Sequence, residues 1–306
     1  MECTRAYSLP MSVTAWAIAF FFGVSNNGNI FFALTALAGI ICAHLGANLF
    51  DDILDYKKYL KSQKDSDNSK KLNFKKGKCK CFLNNELTVK TALKICAVLF
   101  FAAILTGLFF AVIYKLPIIL IMTVTGVLCL LYPHSGYAGL SEIIIGTIFS
   151  PLLFTGVYYV MTGALSYRLL WLSLSFAFVT VCLLYTDFFL DFNQDKAAGK
   201  KTIPILTGSK QNAYYFYIFI IFMIYALIFV GIHSHLFPLK YAIIFLSVIP
   251  ALGTVKRLQH YIDKEIKDEK EFLSAMNNVQ KFVAIFAILC LSLIHISEPT
   301  RHAQIS

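Results

Sequence analysis

The sequence predicts an all-α protein: a polytopic membrane bundle of nine transmembrane helices, the ninth of them truncated. Three observations predict this fold class. Of the 306 residues, 58% are hydrophobic and 14% are charged, whereas an ordinary soluble domain is roughly 45–50% apolar and about 25% charged. The apolar residues gather in runs of the roughly 20 residues that a helix needs to cross a hydrocarbon core about 30 Å thick. Most charged residues fall in the loops between those runs.

Nine apolar runs define the predicted helices in order. Eight of them are full length and lie at about residues 8–24, 28–50, 91–113, 116–132, 138–161, 168–190, 212–232 and 237–255. A ninth begins near Lys281 and continues through residues 282–290. Few residues remain outside the membrane beyond three loops, so we predict a single transmembrane domain over residues 1–290 and no soluble second domain.

The last residues of the chain have an unusual sequence. Residues 291–301 read LSLIHISEPTR, which resembles the in-frame translation of a sequencing adapter, and the residues up to Ser306 resemble continued read-through. We therefore treat residues 291–306 as an artefactual tail and expect the ninth helix to be cut short after Cys290. The alternative is an unusual natural tail.

The distribution of basic residues predicts the orientation in the membrane. Most of the 27 Lys and Arg residues lie in three segments, residues 56–94, 196–210 and 256–281. The positive-inside rule then places the amino terminus and the ends of the even-numbered helices in the cytoplasm. The Lys-rich loop at 56–90 has few interleaved aromatic residues for stacking on bases, so we expect no nucleic-acid partner. Attraction to anionic membrane lipid is the expected role of its charge.

The first cluster of polar residues closes the predicted second helix, in the string HLGANLFDDILDYKK. Offsets of three, four and seven residues place four of its side chains on one helical stripe, and the opposite stripe stays apolar. These four are Asn48, Asp51, Asp52 and Asp55. His44 lies one turn earlier on the same stripe. An ionisable side chain at the centre of a membrane helix costs roughly 2.5–3.5 kcal/mol on insertion scales, so the cluster points to a function.

A second cluster closes the predicted sixth helix. Asp187, Asp191 and Asp195 follow one another at intervals of four residues, so on a continuous helix their carboxylates would stack about 6 Å apart. Stacked like charges destabilise a helix unless cations neutralise them. Hard divalent cations prefer oxygen ligands, and Mg²⁺ typically takes one or two carboxylates together with waters and substrate phosphate oxygens. The two clusters therefore predict diphosphate binding through Mg²⁺ at the cytoplasmic side. The alternative is that each is a solvated helix end facing its own Lys-rich loop.

The two acidic motifs resemble those of the UbiA-type intramembrane prenyltransferase superfamily. The first motif of that family reads Asn-Asp-x-x-Asp, and here residues 51–55 read DDILD. The second reads Asp-x-x-x-Asp-x-x-x-Gly-Lys, and here Asp191 and Asp195 precede Gly199 and Lys200 with that spacing. The segments GKKTIPILTG and GYAGLSEIIIGTIFSPLLFTGVYYVMTG are similar to the 1,4-dihydroxy-2-naphthoate polyprenyltransferases of menaquinone synthesis. Three features depart from the pattern. Asp51 replaces the usual Asn, Asp187 stands where that branch tends to carry Asn, and the Gly-x-Asp expected soon after Asp55 is absent, with Tyr59 and Lys61 there instead.

The resemblance implies Mg²⁺-dependent transfer of a polyprenyl chain from its diphosphate to an aromatic acceptor, in the plasma (inner) membrane of a bacterial-type cell. The residues expected to bind Mg²⁺ and to take part in catalysis are Asp52, Asp55, Asp191 and Asp195. Lys200, with a catalytic role, and Lys201 are expected to neutralise diphosphate oxygens. Supporting contacts to metal or substrate are expected from Asn48, Asp51 and Asp187.

Four further side chains are candidates for substrate contacts. Tyr132 and Tyr185, at cytoplasmic helix ends, could spread the charge of an allylic cation through cation–π contact. His44 could orient or deprotonate the acceptor, although a buried His bonded to a neighbouring carbonyl is the commoner finding. Glu142 could position the acceptor or form a helix-packing hydrogen bond.

Other functions remain open at this point. A multi-pass cation transporter would also carry intramembrane acids, but it would spread them through the depth of the bundle or use broken half-helices near the midplane. Within the prenyltransferases, the acceptor could instead be 4-hydroxybenzoate, a haem or chlorophyll precursor, or a glycerophosphate lipid.

Overall fold

The structure is a computed structural model of the chain, and it describes residues 4–63, 79–266 and 269–295. Throughout these ranges the regular elements are helices and there is no strand, which confirms the all-α fold class. The α-helices are α1 (Leu9–Val24), α2 (Ile30–Gln63), α3 (Lys80–Leu83), α4 (Val89–Tyr114), α5 (Leu116–Ser135), α6 (Ser141–Thr147), α7 (Leu153–Thr162), α8 (Tyr167–Leu190), α9 (Phe192–Ala197), α10 (Ile203–Leu206), α11 (Lys210–His233), α12 (Val248–His260) and α13 (Glu269–His295). A π-helical turn at Ile148–Leu152 joins α6 to α7, and 3₁₀ helices at Ala6–Ser8 and Leu239–Ser247 precede α1 and α12.

Eight helical segments in the described ranges are long and apolar enough to cross a membrane, judged by length and composition. They are α2, α4, α5, α6 with α7, α8, α11, the 3₁₀ segment with α12, and α13. Helix α1 is apolar but has 16 residues, which at 1.5 Å per residue is about 24 Å. The predicted runs are found in their predicted order, but the count of nine transmembrane helices is not confirmed.

The last helix differs from its prediction at both ends. It begins at Glu269, well before Lys281, because the polar stretch after Glu269 forms an amphipathic helix with buried Ala275 and Val279. It also continues past Cys290 to His295, whereas the predicted apolar run ends at Cys290. The segment LSLIH is apolar, and Leu293 is buried in the bundle. Residues 296–306, the rest of the predicted artefactual tail, lie outside the described residues.

The chain divides into two compact units, and the first comprises the described parts of Met1–Val13 and Leu34–Ser135. Its buried core joins Leu49 and Ile53 of α2 to Phe82 of α3 and Cys96 of α4. The Cys96 thiol donates to the carbonyl of Gly46 at 3.3 Å. These contacts fix one face of α2, and the polar stripe that carries the aspartates lies on the opposite face.

Helix α2 is longer than a membrane crossing requires. Its 34 residues extend about 51 Å, whereas a hydrocarbon core is about 30 Å thick. Asp51 comes about 32 Å along the axis from the start of the helix. A helix that entered a hydrocarbon core at Ile30 would therefore leave it near the first acidic cluster.

The second unit comprises Thr14–Ala33 and the described part of Gly136–Ser306. Helix α8 is central, with α6, α11 and α13 packed against it. The Phe176 ring of α8 contacts Phe154 of α7 and Phe286 of α13, and Trp171 Nε1 donates to the Leu227 carbonyl of α11 at 2.8 Å. This packing fixes the first half of α8, whose other end carries the start of the second acidic cluster.

Three tyrosine hydroxyls connect α11 to its neighbours in this unit. They are Tyr185 Oη, which donates to the Ala213 carbonyl at 2.8 Å, Tyr217 Oη, which donates to Thr254 Oγ1 at 3.0 Å, and Tyr225 Oη, which lies 2.9 Å from Ser247 Oγ. All three rings are buried. Each hydroxyl therefore has a partner inside the bundle, as a buried phenol requires.

Candidate active site with two acidic clusters

The first acidic cluster lies on α2 and has a cation bound to it. Asp51 and Asp52 are buried, with 5% and 4% of their surface exposed, and Asp55 is half-buried. The Nη2 atom of Arg5 donates to Asp51 Oδ2 at 3.1 Å and also to Asp52 Oδ1. Oxygens from two adjacent carboxylates thus converge on a single cationic nitrogen.

The amino-terminal segment, residues 4–12, holds Arg5 in this position. Arg5 itself has left-handed backbone angles, with φ 49° and ψ 46°, which turn the chain just before the 3₁₀ helix. Asn48 Nδ2 donates to the Thr4 carbonyl at 3.3 Å and to Ser8 Oγ at 2.9 Å. The predicted stripe on α2 therefore binds this segment through Asn48, which gives Asn48 a structural contact.

His44 binds the same segment. Its Nε2 lies 2.9 Å from Ser8 Oγ and its Nδ1 lies 2.9 Å from Ser12 Oγ, and the ring is buried. Both ring nitrogens are thus used in hydrogen bonds to serines of the amino-terminal segment. The prediction that His44 orients or deprotonates an acceptor gains no support from these contacts, which assign it to holding the segment.

Arg5 was not among the residues predicted from the sequence. Burial disfavours its charged form, but the carboxylates of Asp51 and Asp52 outweigh burial and raise the pKa of Arg5 above its ordinary value, so it stays charged. Tyr132 also interacts electrostatically with Arg5, which places this predicted substrate residue close to the first cluster. The only sequence signal was a lone cation ahead of the first apolar run.

The second acidic cluster spans a break between two helices. Helix α8 ends at Leu190, and Asp191 has φ −98° and ψ 15°, outside the α-helical range. The expected continuous helix through Asp195 is therefore interrupted. The backbone bonds from Asp191 N to Asp187 O at 3.2 Å and from Asp195 N to Asp191 O at 2.9 Å keep the four-residue spacing. Asp191 and Asp195 are buried, while Asp187 is half-buried.

A glycine turn places Lys200 on the second cluster. Gly199 has φ +72° and follows α9, and the backbone bonds Gly199 N to Lys196 O and Lys200 N to Asp195 O form a Schellman motif. The chain reverses here, and Lys200 Nζ reaches Asp195 Oδ1 at 2.8 Å. The Gly-Lys pair of the second motif thus has a structural explanation, because the glycine permits the turn and the turn brings the lysine to Asp195.

Replacing Gly199 with Ala is expected to lower activity about fivefold, because an L-residue in this conformation costs roughly 1–2 kcal/mol and loosens the turn that holds Lys200. No atom lies within 4 Å of a Cβ at Gly199, so the effect arises from φ alone. Gly208, with φ +87° and similar open space, is the matched control. Gly208→Ala should lose similar stability in thermal unfolding but keep activity. Equal activity losses in both variants would contradict a role of this turn in placing Lys200.

Glu142 and Lys201 fix the loop that follows the turn. Glu142 is fully buried, and its Oε1 accepts a hydrogen bond from the Ile203 backbone N–H at 2.8 Å. The Lys201 backbone N–H donates to the Gly136 carbonyl at 2.8 Å, while the Lys201 side chain is exposed. Glu142 therefore binds the backbone at the end of this loop, and its hydrogen bond is not simply one between two packed helices.

Tyr185, in contrast, packs between helices. It is fully buried, its hydroxyl donates to the Ala213 carbonyl, and its ring packs against Phe216 and Tyr217. The hydroxyl and the ring are both used in joining α8 to α11. These contacts give the predicted substrate role of Tyr185 no support.

The donor atoms suit Mg²⁺, although a complete metal centre is not preformed. Among the described side chains, no three His, Cys, Asp or Glu residues are grouped closely enough to hold a metal ion. Mg²⁺ needs only one or two carboxylates, because waters and substrate phosphates complete its shell. The oxygens of Asp51 and Asp52 already share one cationic partner, Arg5, so the pair fits a hard cation.

Comparison with known proteins identifies the family. Residues 11–279 match the UbiA prenyltransferase family. A 2-carboxy-1,4-naphthoquinone phytyltransferase of Synechocystis sp. is 27% identical over 129 residues, which cover 42% of this chain and 42% of the relative. The chain therefore aligns with less than half the length of this curated relative.

Solved structures share the fold over nearly the whole chain. A digeranylgeranylglyceryl phosphate synthase has a TM-score of 0.65 at 15% identity and covers 95% of both chains. A UbiA homolog from Archaeoglobus fulgidus bound to DMAPP and Mg²⁺ has a TM-score of 0.65 at 14% identity and covers 95% of this chain and 98% of its own. Because the family match runs from α1 into α13 and the fold agrees with these structures, this chain is a multi-pass membrane protein that belongs to the UbiA prenyltransferase family.

Proposed function

We propose that this protein catalyses Mg²⁺-dependent transfer of a polyprenyl chain from its diphosphate to an aromatic acceptor, with 1,4-dihydroxy-2-naphthoate of menaquinone biosynthesis as the first candidate. The observation that carries the proposal is the pair of buried carboxylates on α2 that converge on a cation. Membership of a prenyltransferase family supports the reaction class. In the reaction, the allylic C–O bond of the donor breaks and diphosphate leaves with the electron pair. The prenyl carbon bonds to a ring carbon of the acceptor, which then releases a proton or, at the carboxylated carbon, CO₂, and so restores the aromatic ring.

Each acidic cluster has its own part in binding the metal. At the first cluster, Mg²⁺ would be held by Asp52 and Asp55 on α2, with Asp51 and Asn48 in support. At the second cluster, Mg²⁺ would be held by Asp191 and Asp195 after α8. When bound, it supplies Lewis-acid stabilisation of the charge that develops on the leaving diphosphate. Solved UbiA homologs from Archaeoglobus fulgidus carry DMAPP or GPP together with Mg²⁺, and the oxygen-only donor set of this chain supports the same metal.

The residues after α9 would bind the diphosphate directly. Lys200 Nζ is already 2.8 Å from Asp195, so it lies beside the proposed metal ligand and can donate to a phosphate oxygen there. Asp187, one turn before Asp191, would support the same ligand set. Glu142 keeps the loop in place through Ile203 N, so its contribution is to position the two lysines. The Lys201 side chain is exposed, and its positive charge would attract the diphosphate.

The acceptor assignment depends on sequence likeness. The Synechocystis relative is named a 2-carboxy-1,4-naphthoquinone phytyltransferase, and a 2-carboxylated naphthalene ring is the class of acceptor proposed here. Tyr132, close to Arg5, is the proposed aromatic contact near the first cluster. The prenyl tail would lie against apolar helix surfaces open to lipid, where exposed side chains such as Phe101 and Val112 of α4 are found.

The proposed location is the plasma (inner) membrane of a bacterial-type cell, with the amino terminus in the cytoplasm. The Lys-rich segments on one side of the predicted spans support this orientation through the positive-inside rule. The proposed partners are polyprenyl diphosphate, the aromatic acceptor and membrane lipid.

The test is a transfer assay in membranes that contain the protein. Radiolabelled prenyl diphosphate and Mg²⁺ are supplied with one acceptor at a time: 1,4-dihydroxy-2-naphthoate, 4-hydroxybenzoate, a haem or chlorophyll precursor, or a glycerophosphate lipid. Labelled lipid is expected with the naphthoate, and it should disappear with EDTA and return with added Mg²⁺. Transfer to another acceptor alone would contradict the acceptor assignment. Cation flux in sealed vesicles without any transfer would contradict the enzymatic function.

A further inference from the structure

Arg5 makes a contact for which the proposed reaction gives no reason. Its side chain is 13% exposed, and one nitrogen binds two carboxylates that are each 6% exposed. Two adjacent buried carboxylates are strongly unfavourable without a compensating cation. In this arrangement, Arg5 provides that compensation for Asp51 and Asp52.

Arg5 uses only some of its hydrogen-bond donors in this arrangement. Arg5 Nε is buried and has no hydrogen-bond partner among the described residues, although a guanidinium has five donors in a fixed fork. A permanent structural ion pair of this burial would be expected to use them more fully, because an unsatisfied buried donor is costly. The arrangement fits a side chain that gives up these carboxylates in another state of the protein.

The amino-terminal segment keeps Arg5 within reach whether or not the ion pair is formed. Ser8 and Ser12 contact His44, and Asn48 binds both Ser8 and the Thr4 carbonyl. None of these contacts involves the Arg5 side chain. The guanidinium therefore has a high effective concentration at the carboxylates, as any tethered group has.

We propose that Arg5 is a tethered counter-cation that neutralises Asp51 and Asp52 in the metal-free protein and competes with Mg²⁺ for their oxygens. This inference rests on the proposed function, because it takes the first cluster as part of the metal site. The carboxylates can then remain buried before metal arrives, and the metal binds only by displacing Arg5. The concentration of metal at which the site is half saturated is raised accordingly.

The test is metal binding to the purified protein, with Mn²⁺ as a spectroscopic probe that shares the preference of Mg²⁺ for oxygen ligands. Electron paramagnetic resonance measures free Mn²⁺ during a titration without prenyl diphosphate or acceptor. Arg5→Met is expected to bind Mn²⁺ about tenfold more tightly than the unmodified protein, because the competitor is removed. Its metal-free thermal unfolding temperature is expected to fall, and added Mg²⁺ should raise it more than in the unmodified protein.

Lys57→Met is the matched control, since it removes an exposed positive charge from the same helix as the two carboxylates. Lys57 comes two residues after Asp55, so the helical period turns it away from the stripe that carries the aspartates. The Kd for Mn²⁺ is expected to change less than about twofold. Arg5→Lys keeps the charge without the fork and should give an intermediate Kd. If Arg5→Met does not fold in the absence of metal, Arg5→Lys still tests the competition.

The outcomes separate this inference from the proposed function. An unchanged or weaker Mn²⁺ affinity in both Arg5 variants would overturn the competition, since Arg5 would then be structural or would help to form the site. Absence of Mn²⁺ binding to the unmodified protein, or binding that Asp52→Asn leaves unchanged, would instead contradict the metal assignment and this inference with it. Tighter binding in Arg5→Met but not in Lys57→Met supports the proposal.

Discussion

An Asp52→Asn variant is expected to lose prenyl transfer by about 10²–10³-fold. A metal ion acting as a Lewis acid contributes several kcal/mol of transition-state stabilisation, and each 1.36 kcal/mol corresponds to a factor of ten in rate. The substitution keeps the size of the side chain and one oxygen but removes the negative charge that a divalent cation requires. The measurement is the initial rate of labelled lipid formation at saturating Mg²⁺.

The control for this variant is Glu86→Gln, which removes one carboxylate from an exposed loop of the same unit. Glu86 accepts a hydrogen bond from the side chain of Asn84 and is not part of either acidic cluster. The activity of Glu86→Gln should stay within about twofold of that of the unmodified protein, as expected for a surface substitution. Equal losses in the two variants would indicate an effect of net charge or expression. Full activity of Asp52→Asn would remove this residue from the metal site.

A Lys200→Met variant is expected to lower kcat/KM for the prenyl diphosphate by about 10–100-fold. A hydrogen bond to a charged group contributes roughly 1.5–3 kcal/mol, which corresponds to that range. The loss should appear mainly as a higher KM for the donor, with little change in the KM for the acceptor, because the ammonium binds the diphosphate. Its place 2.8 Å from Asp195 also predicts that the two residues act together.

Lys196→Met provides the matched control for this prediction. Lys196 belongs to α9, is exposed, and lies over the Phe192 ring at 6.0 Å, so it carries the same charge four residues away without reaching the cluster. The KM of Lys196→Met for the prenyl diphosphate is expected to change less than about twofold. A double variant with Asp195→Asn should lose less than the product of the two single losses. Independent, multiplicative losses would contradict a shared role of Lys200 and Asp195.

Much of the fold follows directly from the sequence, because lipid imposes a length and an apolar composition on every crossing helix. The run predicted at 168–190 is α8 almost to the residue. The prediction differs from the structure, or stays unconfirmed, where that physical signal is weak. Helix α13 begins in a polar stretch at Glu269 that a search for apolar runs passes over, and α1 is apolar but short.

The candidate site was predictable only where it is local in the chain. The stripe on α2 and the Gly199–Lys200 turn depend on spacing within a few residues, so the sequence contains them. The Arg5 contact joins residues 46 and 47 positions apart, and no periodicity indicates it. His44 was predicted as a possible participant in chemistry, but its serine partners lie on the amino-terminal segment and depend on tertiary packing.

The hydroxyl contacts of α11 have a consequence for how the protein tolerates different membranes. In lipid, apolar side chains gain little by facing one another instead of an acyl chain, so they do not set the rotation of a helix about its own axis. Directional bonds from Tyr185, Tyr217 and Tyr225 do set it. The exposed side chains of α11, such as Phe222 and Phe229, can therefore contact different lipids while the rotation of α11 about its own axis stays constant. Because α10 packs against α11, the loop that precedes α10 and carries Lys200 is expected to keep its position as well.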